Sequence, residues 1–179
     1  MTNRQTWTWI LLFFFCGNIF AHTKFSDTPR IKSIEDMLTF AIKLQRKPYK
    51  YGSEGPNAFD CSGFTRYCYK QIGIELKRTS KEQAENGKKI RQKKLKEGDL
   101  VFFKGPKGED VNHVGIVYKK KRGKNFEFIH ASSSSGITIE SNETEYFQKR
   151  FLSARRITSD KEIHKILKQE IKRKKKEKK

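Results

Sequence analysis

The sequence predicts an α+β domain in which N-terminal helices pack on a small antiparallel β-sheet. Two observations carry this reading. Apolar residues recur at three- and four-residue spacing through the first half, which is the helical period. After Gly98 the pattern turns to short apolar or alternating runs separated by turn residues, the mark of strands. Helices first and consecutive strands later suit an antiparallel sheet with segregated helices. At 179 residues the chain is long enough for one domain with a hydrophobic core.

Residues 1–21 read as an export signal. Arg4 supplies a short positive start, Trp7 to Phe15 is almost wholly apolar, and Ala21 is a small residue suited to cleavage. The apolar run is short for a membrane span. The alternative is an uncleaved membrane anchor, because bulky Ile19 stands close before the cleavage position. Cys16 raises lipidation, against which Phe13, Phe14 and Phe15 are poor small-residue neighbours. The expected location is therefore exported: periplasm, cell envelope or secreted. Residues 22–32 read as a linker.

The folded domain is read over 33–158. Ser33 caps a first helix through Ile34, Met37, Leu38, Ala41 and Ile42, with Asp36 favourable in its first turn. Pro48 and Gly52 end it, and Tyr49 to Phe59 reads as loop. A second helix begins near Cys61, carries Phe64, Cys68 and Ile72 on one face, and stops at Gly73. Ser80 with Gln83 gives a capping-box pattern for a short third helix, closed by Gly87. Gly98-Asp99 is a turn before a buried strand, Leu100 to Phe103. Further strands are expected at His113–Tyr118, Phe126–His130, Ile137–Glu140 and Ala154–Ile157.

Residues 159–179 read as a basic tail. Ile163, Ile166, Leu167 and Ile171 give it a narrow apolar stripe, so a solvated, partly helical extension is expected. The chain holds 40 Lys+Arg against 20 Asp+Glu, a formal net charge of +20. Such a surface attracts anionic polymers and says little about fold. A nucleic-acid-binding protein is one reading of that charge; the export segment and the absence of a nucleic-acid motif argue against it.

Cys61 is the first residue that suggests chemistry. It lies between Asp60 and Ser62-Gly63 at an expected helix start, where unpaired N–H groups and the helix dipole favour a thiolate. Small residues beside it leave room for a substrate carbonyl near oxyanion-binding N–H groups. Cys68 sits mid-helix on the apolar face and reads as structural. Seven residues apart on one helix, the two lie roughly 10 Å apart, whereas a disulfide needs less than about 7 Å. A free cysteine in an exported protein calls for a reason, and reactivity is one.

His113 opens one strand, on a face shared with Gly115 and Val117. His130 ends the next, in phase with Phe126 and Phe128. Paired as a hairpin, the strands bring both rings to one face, so that one His takes the Cys61 proton while the other holds its far nitrogen. His22 and His164 fall in linker and tail and receive no role. A zinc site on Cys61, His113 and His130 is the competing reading, without the close ligand pairs that support one.

The runs Pro48-Tyr49-x-Tyr51-Gly52, Phe59-Asp60-Cys61-Ser62-Gly63-Phe64, Arg78-Thr79-Ser80, Gly98-Asp99-Leu100-Val101-Phe102-Phe103, His113-Val114-Gly115-Ile116 and Ile129-His130-Ala131 resemble the NlpC/P60 family of papain-like cysteine peptidases. The resemblance runs from about residue 34 to 157. It implies a circularly permuted papain-like fold and hydrolysis of peptidoglycan stem peptides, typically at the D-glutamyl–diamino acid bond, with no metal or cofactor. It implies Cys61 as nucleophile, His113 as base and His130 as the orienting third residue. Tyr49 then lies near the oxyanion, and Asp60 and Ser62 match positions that help bind a stem peptide's free amine. Local capping explains Asp60 and Ser62 equally well. Ser53 and Lys77 depart from the usual Gly and Pro of that pattern. The resemblance implies stem peptides as partners of the cleft; the charge of the tail points to an anionic envelope polymer or membrane surface, and no nucleic-acid partner and a monomeric chain are expected. The alternatives are an inactive or activator-dependent wall-binding module, or a hydrolase of a related amide or ester.

Overall fold

The computed structural model describes residues 31–106 and 108–177. The expected signal, Cys16, His22 and most of the linker lie outside the described residues. Helix α1 (Ile34–Lys43) is capped by Ser33, whose hydroxyl accepts from the Asp36 N–H at 3.0 Å. It buries Met37, Leu38 and Ala41. Helix α2 (Cys61–Lys70) starts at the cysteine and buries Phe64, Cys68 and Tyr69. Gly73 follows in the left-handed region, φ +77°, as a helix-stopping glycine does. Helix α3 (Ser80–Gln83) begins one residue earlier than its sequence pattern suggested. Thr79 is the cap, Glu82 closes the capping box, and Gln83 is buried instead. Thr-x-x-Glu and Ser-x-x-Gln overlap there by one position, and the charged pair takes the cap.

Six strands form one antiparallel sheet among the described residues, in the order β1-β6-β2-β3-β4-β5. They are β1 (Lys88–Lys89), β2 (Leu100–Lys104), β3 (Val111–Lys120), β4 (Phe126–Ser132), β5 (Gly136–Ser141) and β6 (Phe151–Arg156). The last strand crosses back to pair with β2 and β1. A short helix α4 (Glu145–Gln148), capped by Thr144, links β5 to β6. Neither β1 nor α4 was expected from sequence; a two-residue strand and a one-turn helix are too short to show a period.

Alternation along the strands gives the sheet two buried faces. Leu100, Phe102, Val114, Ile116, Ile129, Ala131 and Ile137 join α1 and α2 in the larger core. Val101, Phe103, Val117, Phe126, Phe128 and Ala154 form a second core, closed by Phe147 of α4. Asp99 at the turn before β2 pairs with Arg156, and Tyr69 donates to the Gly98 carbonyl, so the turn is tied to both α2 and β6.

The basic segment forms helix α5 (Asp160–Glu177), and its first turns are no free extension. Ile163 and Leu167 are buried in the larger core, and the Asp160 carboxylate accepts from the Ile34 N–H at 2.9 Å. Of the apolar stripe read from sequence, Ile163 and Leu167 form the docking face. Cys61 and Cys68 are both free and buried.

Candidate active site

The loop before α2 sets the position of Cys61. Tyr49 and Phe59 form an isolated bridge, the Phe59 N–H donates to the Pro48 carbonyl, and the Asp60 N–H donates to that of Ser53 at 2.8 Å. Gly63 permits this. A Cβ there would lie 2.3 Å from the Ser53 carbonyl oxygen. Sequence reasoning gave Gly63 to the approach of substrate; its bare face meets the protein's own loop instead.

Asp60 caps α2 and is almost wholly enclosed. Its carboxylate accepts from the N–H groups of Gly63 (2.7 Å) and Gly52 (3.0 Å), from the Ser62 hydroxyl (3.1 Å), and from Arg78 at 2.5 Å. Burial alone pushes its pKa up, but the bonds from Arg78 and the Gly63 N–H hold it below the usual carboxylate range. Arg78 reaches on to the Ser62 hydroxyl and to Glu54. Buried Gln83 ties the same region together, accepting from Thr65 at 2.7 Å and donating to the Ser62 and Lys77 carbonyls. The polar groups of Asp60 and Ser62 are thus occupied by the protein itself. The sequence pattern contained Arg78 without revealing this task, because a pairing eighteen residues apart has no local signature.

Cys61 is the first residue of α2 and its relative exposure is 9%. Helix position favours its thiolate, as expected. Burial and the neighbouring Asp60 charge nevertheless outweigh the N–H groups of Val114, Ser62 and Cys61 itself, and the thiol pKa is raised. Its Sγ lies 4.0 Å from the Asn112 carbonyl oxygen, and no hydrogen bond joins it to His113. The resting thiol is therefore protonated, and the expectation of a thiol acidified by helix position alone is corrected by the enclosure of the site.

The two strand histidines meet as the hairpin reading requires. His113 Nε2 and His130 Nδ1 are 2.8 Å apart, with the rings nearly perpendicular. Gly115 makes room: a Cβ there would lie 2.6 Å from Phe128 Cδ2 and 3.2 Å from His130 Cβ. Phe103 and Phe147 contact the pair from β2 and α4. Burial, and then the neighbouring His130, push the His113 pKa down to about 3, so its ring is neutral at pH 7.

Beyond His130 lies a residue that sequence reasoning did not single out. Glu140 of β5 sets its Oε2 2.8 Å from His130 Nε2. The bond from His130 holds the Glu140 carboxyl below its ordinary range. Its position at the end of an expected strand was legible; its register against β4 was not.

These groups line one cleft of about 690 Å³, with Tyr49, Cys61, His113, His130 and Glu140 on its walls. Burial, then proximity to Cys61, raises the Tyr49 pKa, so the phenol stays a donor. Among the described residues, no group of three or more His, Cys, Asp or Glu is arranged to hold a metal ion.

Comparison with known proteins agrees with the fold. Residues 46–156 match the sequence model of the NlpC/P60 family. The chain belongs to the NlpC/P60 family. It is 41% identical over 112 residues to the murein DD-endopeptidase MepS/murein LD-carboxypeptidase of Escherichia coli K12, covering 62% of this chain and 56% of that protein. It is 36% identical over 125 residues to the bifunctional muramidase/DL-endopeptidase CwlT of Bacillus subtilis, covering 69% of this chain and 36% of the relative. Among solved structures, an NlpC/P60 family protein from Bacillus cereus superposes with a TM-score of 0.64 at 29% identity, covering 71% of this chain and 41% of the other. The chain thus spans little more than half of MepS and about a third of CwlT. The expected papain-like α+β architecture is the one this NlpC/P60 domain has.

Proposed function

We propose that this NlpC/P60 chain is a cysteine endopeptidase of the cell envelope that hydrolyses peptidoglycan stem peptides by acyl transfer. The observation that carries the proposal is the juxtaposition of a helix-start cysteine with a hydrogen-bonded histidine pair in one cleft. The family membership and the names of MepS and CwlT support the substrate class.

His130 engages Nε2 of His113, which leaves Nδ1 as the nitrogen that takes the Cys61 proton. The thiolate attacks the amide carbonyl. The N–H groups of Cys61 and Ser62, unpaired in the first helical turn, and the Tyr49 hydroxyl receive the oxyanion. His113 then protonates the departing amine, and water hydrolyses the thioester with His113 again as base. Lys104 and Arg150 line the same cleft and suit the carboxylates of a stem peptide.

The bond proposed is D-glutamyl–diamino acid. MepS carries a DD-endopeptidase name and CwlT a DL-endopeptidase name, so the bond is the quantity to measure. Asp60 and Ser62 shape the helix start in this account; holding a free amine there requires Arg78 to give up part of its contact. Exposed Lys161, Lys165, Lys168, Lys172 and Lys176 on α5 are proposed to hold an anionic envelope polymer or membrane surface.

Digestion of purified peptidoglycan by the chain, read by mass spectrometry beside Cys61→Ala, tests the reading. New stem-peptide fragments that require Cys61 support it and name the bond. No cleavage of walls or of free stem peptides by folded protein would overturn it.

A further inference from the structure

We propose that Glu140 is a positioning residue that fixes the tautomers of both histidines and thereby the base that Cys61 meets. This rests on the reading of Cys61 and His113 as nucleophile and base, and extends it by one residue.

Proton placement along the three side chains decides which nitrogen is free. A carboxylate only accepts, so His130 Nε2, 2.8 Å from Glu140 Oε2, must carry a hydrogen. In neutral His130 the other nitrogen, Nδ1, is then an acceptor. It faces His113 Nε2 at 2.8 Å, which must in turn donate. Neutral His113 is thus left with its lone pair on Nδ1, the form able to accept a proton. Without Glu140, His130 is free to turn over its tautomer and offer Nδ1–H to His113. His113 would then be protonated on Nδ1 and useless as a base.

The same chain of bonds carries charge. When His113 takes the thiol proton, its positive charge lies two hydrogen bonds from the carboxylate, which stabilises it. This matters because burial otherwise makes His113 a poor base. The His130 side chain is 3% exposed and that of Glu140 is 39% exposed, so the relay runs from the enclosed site to the cleft wall. The other ionisable groups lining this cleft are Cys61 from α2, Tyr49 from the preceding loop, Lys104 at the end of β2, Tyr146 of α4 and Arg150 beyond it. Lys104 is bound to Glu109, and Arg150 lies over the Tyr146 ring at 3.8 Å. Among the described residues Glu140 is therefore the one carboxylate on the cleft wall.

The test uses the whole chain and its Glu140→Gln and Glu140→Ala variants. Gln can still accept from His130 without carrying charge; Ala can do neither. Nitrogen-15 NMR of the labelled imidazoles reads the tautomers, and alkylation of Cys61 by iodoacetamide reads thiol activation with no wall substrate. Expected are Nε2–H tautomers for His113 and His130 in the native chain, retained in part with Gln and mixed with Ala. Alkylation at pH 7 should fall about tenfold in both variants, while above the thiol pKa the rates should converge. Thermal unfolding should move little, since the carboxylate is part-exposed. Unchanged tautomers together with unchanged alkylation at pH 7 would overturn the proposal. A native chain that alkylates as described yet cleaves no peptidoglycan would instead remove the peptidase reading and leave this one standing.

Discussion

At the scale of the residue, the Cys61 thiol and the His113 ring are held neutral until they react, within reach of a carboxylate, Glu140, that stays charged. The His113 imidazole, pushed down to about 3, stays uncharged through the mildly acid range. The acidic limb of kcat/KM should therefore lie well below the ordinary histidine value of about 6.5; a limb near 6.5 would mean that His113 is not the base. The same shift has a stability consequence of definite sign. Below about 6.5 the unfolded chain binds a proton at His113 that the folded chain refuses, so folding weakens as pH falls from there toward 3. Replacing His113 with Gln should flatten that part of the profile in denaturant titrations. Asp60 acts in the same direction: its depressed carboxyl contributes stability above the unfolded value, lost as pH falls through the folded one. Arg78→Leu leaves Asp60 short of its charged partner and should cost about 2–3 kcal/mol, measured by urea unfolding. Its effect on activity should follow through the placement of α2.

At the scale of the element, register decides what two strands can do together. Cys61, His113 and His130 were legible because each sits where a local pattern begins or ends: a helix start after a loop, a strand start, and a strand end in phase with Phe126 and Phe128. The clasp of Arg78 on Asp60 and the reach of Glu140 to His130 were not, because both depend on long-range register that no local period encodes. Local patterns pointed to α1, α2, α3, the helical character of α5 and five of the strands, while β1 and α4 were too short to carry a signal. Gly115 shows how strictly this geometry is set. Gly115→Ala places a methyl against Phe128, the Ile129 carbonyl and His130. It should cost about 1–3 kcal/mol in stability and lower kcat/KM more than a comparable loss of stability elsewhere, since His130 must move. If activity per folded molecule stayed at the native level, the tight packing of β3 on β4 would be irrelevant to the histidine pair.

At the scale of the whole molecule, a strongly basic chain carries a cleft lined by both Lys104 and Arg150 and the Glu140 carboxylate. The net charge of +20 underlies the proposed attraction to anionic surfaces, and the cleft underlies the proposed hydrolysis. Helix α5 links the two roles, because its first turns complete the core and its later turns carry the cations. Ile163→Ala should cost about 2–4 kcal/mol by opening a cavity beneath α1. Replacing exposed Lys172 and Lys176 with Ala should leave the melting temperature unchanged while weakening salt-sensitive binding to anionic polymers or vesicles. A melting temperature lowered as far by the second change as by the first would show that the end of α5 is structural too.

As the proposed nucleophile, Cys61 forms a thioester with the acyl half of a stem peptide. The direct measurement is mass spectrometry of the acid-quenched protein after brief mixing with a stem-peptide substrate. The account predicts an adduct on the Cys61 peptide with the mass of the amino-side fragment, absent in Cys61→Ala and slow to form in His113→Ala. Cleavage that proceeds without any adduct and survives Cys61→Ala would contradict it.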